Sequence, residues 1–185
     1  ANKTDLILFV HSQPTAADGR IGLFYLRNSG LGENEFLLRT SADEGKSWSA
    51  PRKVAGRKGF LSVVNNARVI RLKSGRIVFP VSRHESRNGK LEPAGDILCA
   101  YSDDEGRTWA AGPDRLETVD ERGMAVTTQE PGVVELRDGR VLMFARTRHG
   151  RQWFYYSSDG CRTWTRGDGY SAVLLGDTHF DTDPV

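Results

Sequence analysis

The sequence predicts an all-β chain, a β-propeller of which about three four-stranded blades are present. Two turn motifs that recur in phase, and the absence of any stretch with a helical period, carry this expectation. The first turn reads Ser41-Ala-Asp43-Glu-Gly45-Lys-Ser47-Trp48, then Ser102-Asp-Asp104-Glu-Gly106-Arg-Thr108-Trp109, then Ser157-Ser-Asp159-Gly-Cys161-Arg-Thr163-Trp164. In such a turn a short Asp side chain accepts hydrogen bonds from amides a few residues on. Glycine permits positive φ, and Trp supplies a large apolar anchor. The second turn is Asp18-Gly19-Arg20, Ser74-Gly75-Arg76 and Asp138-Gly139-Arg140, each a hairpin signal between two apolar runs. The tryptophans recur at intervals of 61 and 55 residues and the hairpin glycines at 56 and 64, so the two markers keep step. That period suits supersecondary units stacked or arranged radially.

Taken in order, the first unit carries apolar, β-rich runs at Leu6–Val10, Ile21–Arg27 and Phe36–Thr40. The middle unit shows the complete meander: Ala67–Leu72, Ile77–Ser82, Ile97–Ser102 and, after its Trp turn, Arg115–Thr118. The third repeats it with Val133–Leu136, Val141–Arg146 and Trp153–Ser157. The units are expected at about 5–58, 59–122 and 123–170, with a tail over 171–185. A β-sandwich with coincidental turns is the alternative.

Composition narrows the function classes. Of 185 residues, 38% are apolar and 27% charged, and no apolar run approaches the roughly 18 residues of a membrane-spanning helix. A net charge of +2 is too small for a nucleic-acid footprint, which needs a strongly basic domain. Cys99 and Cys161 form no CxxC or metal-ligand cluster and read as plain buried or turn thiols. The first residues, Ala1–Asp5, show no charged-then-apolar leader. A mature secreted product would look the same, so the compartment stays open.

The recurring Ser/Thr-x-Asp-x-Gly-x-Thr/Ser-Trp turn is the Asp box, or BNR repeat, and through it residues 5–167 resemble sialidases and their relatives. The third copy departs, with Gly160 one place early and Cys161 where glycine is expected, so a distorted turn or a different φ solution is anticipated there. The resemblance implies blades two to four of a six-bladed protein, with each box joining the third and fourth strands away from the active site. Three units then make about half a ring. A fragment of a longer chain is expected, with two copies closing one ring as the alternative.

Meander topology says where a site can lie. The turns joining strands one to two and three to four share one end of a blade, so Asp18, in its hairpin turn, is at the wrong end to be catalytic. At the opposite end, the third unit presents Thr127-Thr-Gln129-Glu130-Pro131 and Ala145-Arg146-Thr147-Arg148-His149 on adjacent strands. A Glu followed by an Arg sixteen positions later matches the sialidase pattern. The resemblance implies that Glu130 is the base partner of a tyrosine nucleophile and Arg146 one of three arginines clamping a sialic acid carboxylate. The other reading makes Glu130-Pro131 a turn into an edge strand, with Glu130 extended as residues before proline prefer, and Arg146 a solvated charge.

Registered on the hairpin glycines, Arg146 aligns with Ser82 and Leu26, so arginine is no blade requirement there, and Asn66 aligns with Glu130. Asn66 is therefore a further candidate for the same cavity, or a structural Asn of the Asn65-Asn66 turn. His84 and His149 follow strand-two ends and could reach a ligand. The tail, with Asp177, His179, Asp181 and Asp183, fits no hard-cation loop and reads as a solvated chain end. The expected protein is thus an exo-acting, retaining glycosidase using no metal or cofactor, with a sialoglycoconjugate-like carbohydrate as partner. The competing reading is a carbohydrate-binding or interaction propeller without a full catalytic set, since the Tyr, the catalytic Asp and the other arginines are not assigned in this chain.

Overall fold

The computed structural model describes residues 11–14, 19–30, 33–55, 60–65, 68–87, 90–112, 116, 118–120, 122–147, 151–167 and 170–171. Among them the fold is all-β, an incomplete propeller of antiparallel blades joined side by side. The first blade holds β1 (His11–Pro14), β2 (Ile21–Gly30), β3 (Glu33–Ser41) and β4 (Arg52–Ala55). The second holds β5 (Phe60–Val63), β6 (Ile70–Arg71), β7 (Ile77–Arg87), β8 (Lys90–Ser102) and β9 (Ala110–Ala111). The third holds β10 (Thr128–Glu135), β11 (Val141–Thr147), β12 (Arg151–Ser157), β13 (Thr165–Arg166) and β14 (Tyr170–Ser171). No helix among the described residues is long and apolar enough to cross a membrane.

The strands form because alternate residues feed two different seams. On β7, Ile77, Phe79 and Val81 pack toward the first blade with Phe24, Phe36, Leu38 and Trp109, whereas Val78 packs toward the third with Val141, Met143, Ala145 and Tyr155. Both faces are buried, so β7 reads as a nearly continuous apolar run rather than as alternation. Trp109 anchors the first seam, standing edge-on to Phe79 at 5.2 Å and to Phe24 at 6.1 Å between ring centroids. Among the described residues backbone pairing between blades is confined to single residue pairs, Glu33 with Phe60 and Gly95 with Thr128, both at the end opposite the Asp boxes.

The inner and outer strands depart from the expected bounds. The expected first strand at Leu6–Val10 lies outside the described residues, and the described innermost strand of the first blade is β1, paired with Ile21–Phe24. Of the expected run Ala67–Leu72 only Ile70–Arg71 is strand, as β6; β5 precedes the run, and β5 and β6 each pair with β7. The outer strand of the second blade starts directly after Trp109 as β9, and within the expected Arg115–Thr118, of which 115 and 117 lie outside the described residues, the Leu116 N–H still donates to the Ile97 carbonyl of β8 at 3.1 Å.

All three boxes close in one way, including the third. Asp43, Asp104 and Asp159 each accept a backbone N–H four residues on, from Ser47, Thr108 and Thr163, at 2.8, 2.8 and 2.9 Å. Each also accepts the hydroxyl of that same residue at 2.6 Å. Two successive left-handed residues make the turn: Glu44 and Gly45, Glu105 and Gly106, then Gly160 and Cys161, the last at φ 76°. The anticipated distortion of the third copy is absent. The same backbone is kept, with glycine moved to the first left-handed position and Cys161 taking the second.

The box carboxylates are therefore held at about 2 instead of 3.8. The Ser47 and Thr108 hydroxyls lower Asp43 and Asp104; at Asp159 burial opposes the shift and the Thr163 hydroxyl with its N–H outweighs it. Because the folded values lie below the unfolded ones, the stability these groups supply is complete above the unfolded value and is lost as pH falls through the folded one. The thermal midpoint is expected to hold level down to about pH 5 and to drop between about pH 4 and pH 2, followed by circular dichroism. Asp159→Asn should flatten that drop. An unchanged slope would remove the boxes from the acid response.

The hairpin end of the second seam is closed mainly by Arg76, with Arg162 Nη2 a further 3.7 Å from Asp103 Oδ2. Arg76, only 7% exposed, donates from Nε and Nη2 to the two carboxylate oxygens of Asp103 at 2.6 and 2.7 Å. Its Nη1 donates to the Gly160 carbonyl at 2.6 Å, and its guanidinium lies 4.3 Å over the Tyr101 ring. It thereby ties the hairpin and box of the second blade to the box of the third.

Candidate functional site

The end opposite the boxes gathers the residues singled out in the third unit. Gln129 pairs with Arg146 and Gly132 with Phe144, so Glu130 and Pro131 together stand opposite the single residue Ala145. This is a two-against-one bulge, a device that re-aims side chains beside functional sites. Glu130 carries the irregularity at φ 50°, in the left-handed region. The extended geometry anticipated for a residue before proline is thus not adopted. A non-glycine residue held there is strained by roughly 1–3 kcal/mol, a cost typical of sites where orientation matters more than stability.

The bulge turns Glu130 toward Arg146. Its Oε2 lies 3.7 Å from Arg146 Nη1, which also donates to Gln129 Oε1 at 3.5 Å. Both separations exceed the roughly 2.7–2.9 Å of a tight charge-assisted pair. Glu130 is 48% exposed and Arg146 26%, so the carboxylate faces solvent instead of being buried.

A compact node fixes the start of β10. Thr128, fully buried, donates its hydroxyl to the Gly95 carbonyl at 3.0 Å, and Ser82 Oγ and His84 Nε2 lie 3.0 Å apart on the strand beside Gly95. A Cβ at position 95 would stand 2.7 Å from Ser82 Oγ and 2.8 Å from the His84 ring, so glycine is required for the close approach. His84 is therefore engaged in the seam. On the opposite face of the same strands Arg83 pairs with Asp96 at 3.4 Å.

Arg68 and Phe144 were not found by sequence reasoning. Arg68 lies in the segment between β5 and β6, its guanidinium 5.7 Å from the Phe144 ring centroid, and its Nε is buried without a hydrogen bond. Phe144 rests against Gly132, where a Cβ would run into the ring. Since side chains alternate along β11, Phe144 and Arg146 share a face, and Arg68 brings a second guanidinium to it. The signal was available: registered on Gly75 and Gly139, Arg68 aligns with Gly132, a long cation facing a missing side chain. Asn66, His149, Asp18 and the acidic tail lie outside the described residues.

The sequence profile of a family described as BNR repeat-like domain matches residues 6–176. Among solved structures the chain is similar to a Hadza microbial sialidase, at 17% identity and TM-score 0.66, over 87% of this chain and 33% of that one. It is similar to a leech intramolecular trans-sialidase at 24% identity and TM-score 0.54, over 75% of this chain and 19% of that one. It also resembles the Trypanosoma rangeli sialidase at 23% identity and TM-score 0.52, over 80% of this chain and 26% of that one. The chain thus spans a third or less of the length of these structures, and at such identities the likeness is one of fold.

Proposed function

The chain belongs to the BNR repeat-like domain family, and from that membership we propose that its Glu130 end forms part of a retaining, sialidase-like glycoside hydrolase acting on a terminal anionic sugar such as sialic acid. The observation that supports this most is the strained Glu130 bulge, which holds a carboxylate 3.7 Å from the Arg146 guanidinium. In this reading Arg146 exchanges its long contacts for a bidentate grip on the sugar carboxylate. Glu130 accepts the proton of a tyrosine nucleophile. A neutral nucleophile suits the substrate, since an attacking carboxylate would be repelled by the sugar's own charge. Asn66 lines the same cavity, and Arg68 adds positive charge to its wall.

The test is release of fluorophore from a fluorogenic sialoside by the whole protein. Arg146→Ala should lower kcat/KM by about 10²-fold, mostly through KM, because the lost grip acts on the bound sugar before the transition state. No release by the unmutated protein would defeat the hydrolase reading.

A second reading rests on a separate observation. Three of the five tyrosines are engaged in other contacts: Tyr101 and Tyr156 lie under Arg76 and Arg140, and Tyr155 is in the core. Those contacts favour, for this stretch, a propeller that binds an anionic carbohydrate without cleaving it. Retention on sialylated glycans with no turnover would select that reading.

A further inference from the structure

The two cysteines sit at corresponding places on either side of the second seam. Leu38 and Cys99 each precede a box serine by three residues, and Gly106 and Cys161 each follow one by four. At the first seam these places touch: a Cβ on Gly106 would stand 2.7 Å from Leu38 Cδ2. At the second seam the glycine has gained a side chain and the leucine has shrunk, both to cysteine. Cys99 and Cys161 are 1% and 0% exposed and pack in one core cluster, with the Cys161 thiol among the groups that act on the Cys99 thiol, which donates to the Ala100 carbonyl at 3.8 Å.

The backbone between them is equally close. Gly112 N donates to the Cys99 carbonyl at 3.0 Å, and a Cβ on Gly112 would lie 2.7 Å from the Cys161 carbonyl oxygen. A plain exchange of volume would not require Cys161 to occupy a left-handed conformation that glycine adopts without strain. Within a disulfide, a Cβ and the far sulfur are about 3 Å apart, close to the separation marked by Gly106 and Leu38 at the first seam.

We infer that Cys99 and Cys161 are a covalent modification site, a disulfide that staples the second blade to the third. Both are free thiols in this structure. The oxidant is a small-molecule disulfide such as oxidised glutathione. One cysteine thiolate attacks it, forming a mixed disulfide and releasing one glutathione thiol. The second cysteine then displaces the other glutathione, so both cysteine sulfurs are oxidised, the oxidant is reduced, and the two protons leave on its thiols. Burial pushes the Cys99 thiol well up, so exchange proceeds through folding or transient opening of the seam, and the closed bond is shielded afterwards.

The experiment equilibrates the protein with mixtures of reduced and oxidised glutathione, quenches with acid, and alkylates in denaturant before mass measurement and peptide mapping. Oxidised protein should lose two hydrogens, take up no alkylating agent and yield a Cys99–Cys161 linked peptide. Its thermal midpoint should exceed that of dithiothreitol-reduced protein by about 10 °C. Cys161→Gly, which restores the box glycine, should leave one alkylatable thiol and a midpoint indifferent to reductant. Full alkylation of both cysteines at every glutathione ratio, or a crosslink that lowers the midpoint, would overturn the assignment.

Discussion

Glu130→Gln is expected to reduce the kcat of sialoside hydrolysis by the whole protein about 10²–10⁴-fold while leaving the folding midpoint where it was. Glutamine preserves the size and hydrogen-bonding reach of the side chain but cannot take a proton. The residue is half-exposed and its pairing with Arg146 is long at 3.7 Å, so little folding energy depends on the carboxylate. A companion variant separates chemistry from architecture. Glu130→Gly removes the side chain from a residue at φ 50° and relieves the penalty of the left-handed region. It is expected to be inactive yet at least as stable as the parent, by about 0.5–1 kcal/mol in a denaturant titration. If Glu130→Gly instead weakens the fold by more than about 1 kcal/mol, the bulge is structural and the catalytic role fails.

Arg76→Leu is expected to destabilise the chain by about 2–4 kcal/mol, the largest single-site effect outside the apolar core. The substitution keeps an apolar stem over Tyr101 but removes the Arg76 donors from Asp103, which retains Arg162 at 3.7 Å, and from the Gly160 carbonyl. Asp103 is 55% exposed and regains water, which keeps the estimate below that for a fully buried pair. Arg140 holds the same position in the third hairpin and lies 5.1 Å over Tyr156, but its partner Asp138 is two residues away and both are exposed. Arg140→Leu should therefore change stability by less than about 0.5 kcal/mol. Equal effects at the two arginines would show that Arg76 is not an inter-blade tie.

Much of the architecture was legible because each blade announces itself locally. The box turn and the hairpin glycine encode their own hydrogen bonds, and together they fixed the register that predicts Glu130 and Arg146 on adjacent strands at one end. What escaped was set by partners far away in sequence. The proline after Glu130 pointed to an extended residue, but pairing with β11 on both sides of an extra residue forces it left-handed. That β5 and β6 are separate strands depends on β7 pairing with each of them. Arg68 gains its place only because Phe144 rests on Gly132, in the next blade. Cys99 and Cys161, read singly, are ordinary buried thiols, and only the seam brings them together.

The interchange of Glu44-Gly45 and Gly160-Cys161 on one backbone bears on how such chains are recognised from sequence. The turn asks for two left-handed residues in succession and accepts its single glycine at either. A motif that insists on glycine at the second place undercounts blades, and a ring with an even number of them then appears odd. Written as Ser/Thr-x-Asp followed by a pair containing one glycine in either order, then any residue and Thr/Ser-Trp, the pattern finds all three copies here. Blade counts in divergent relatives are best made with that looser grammar.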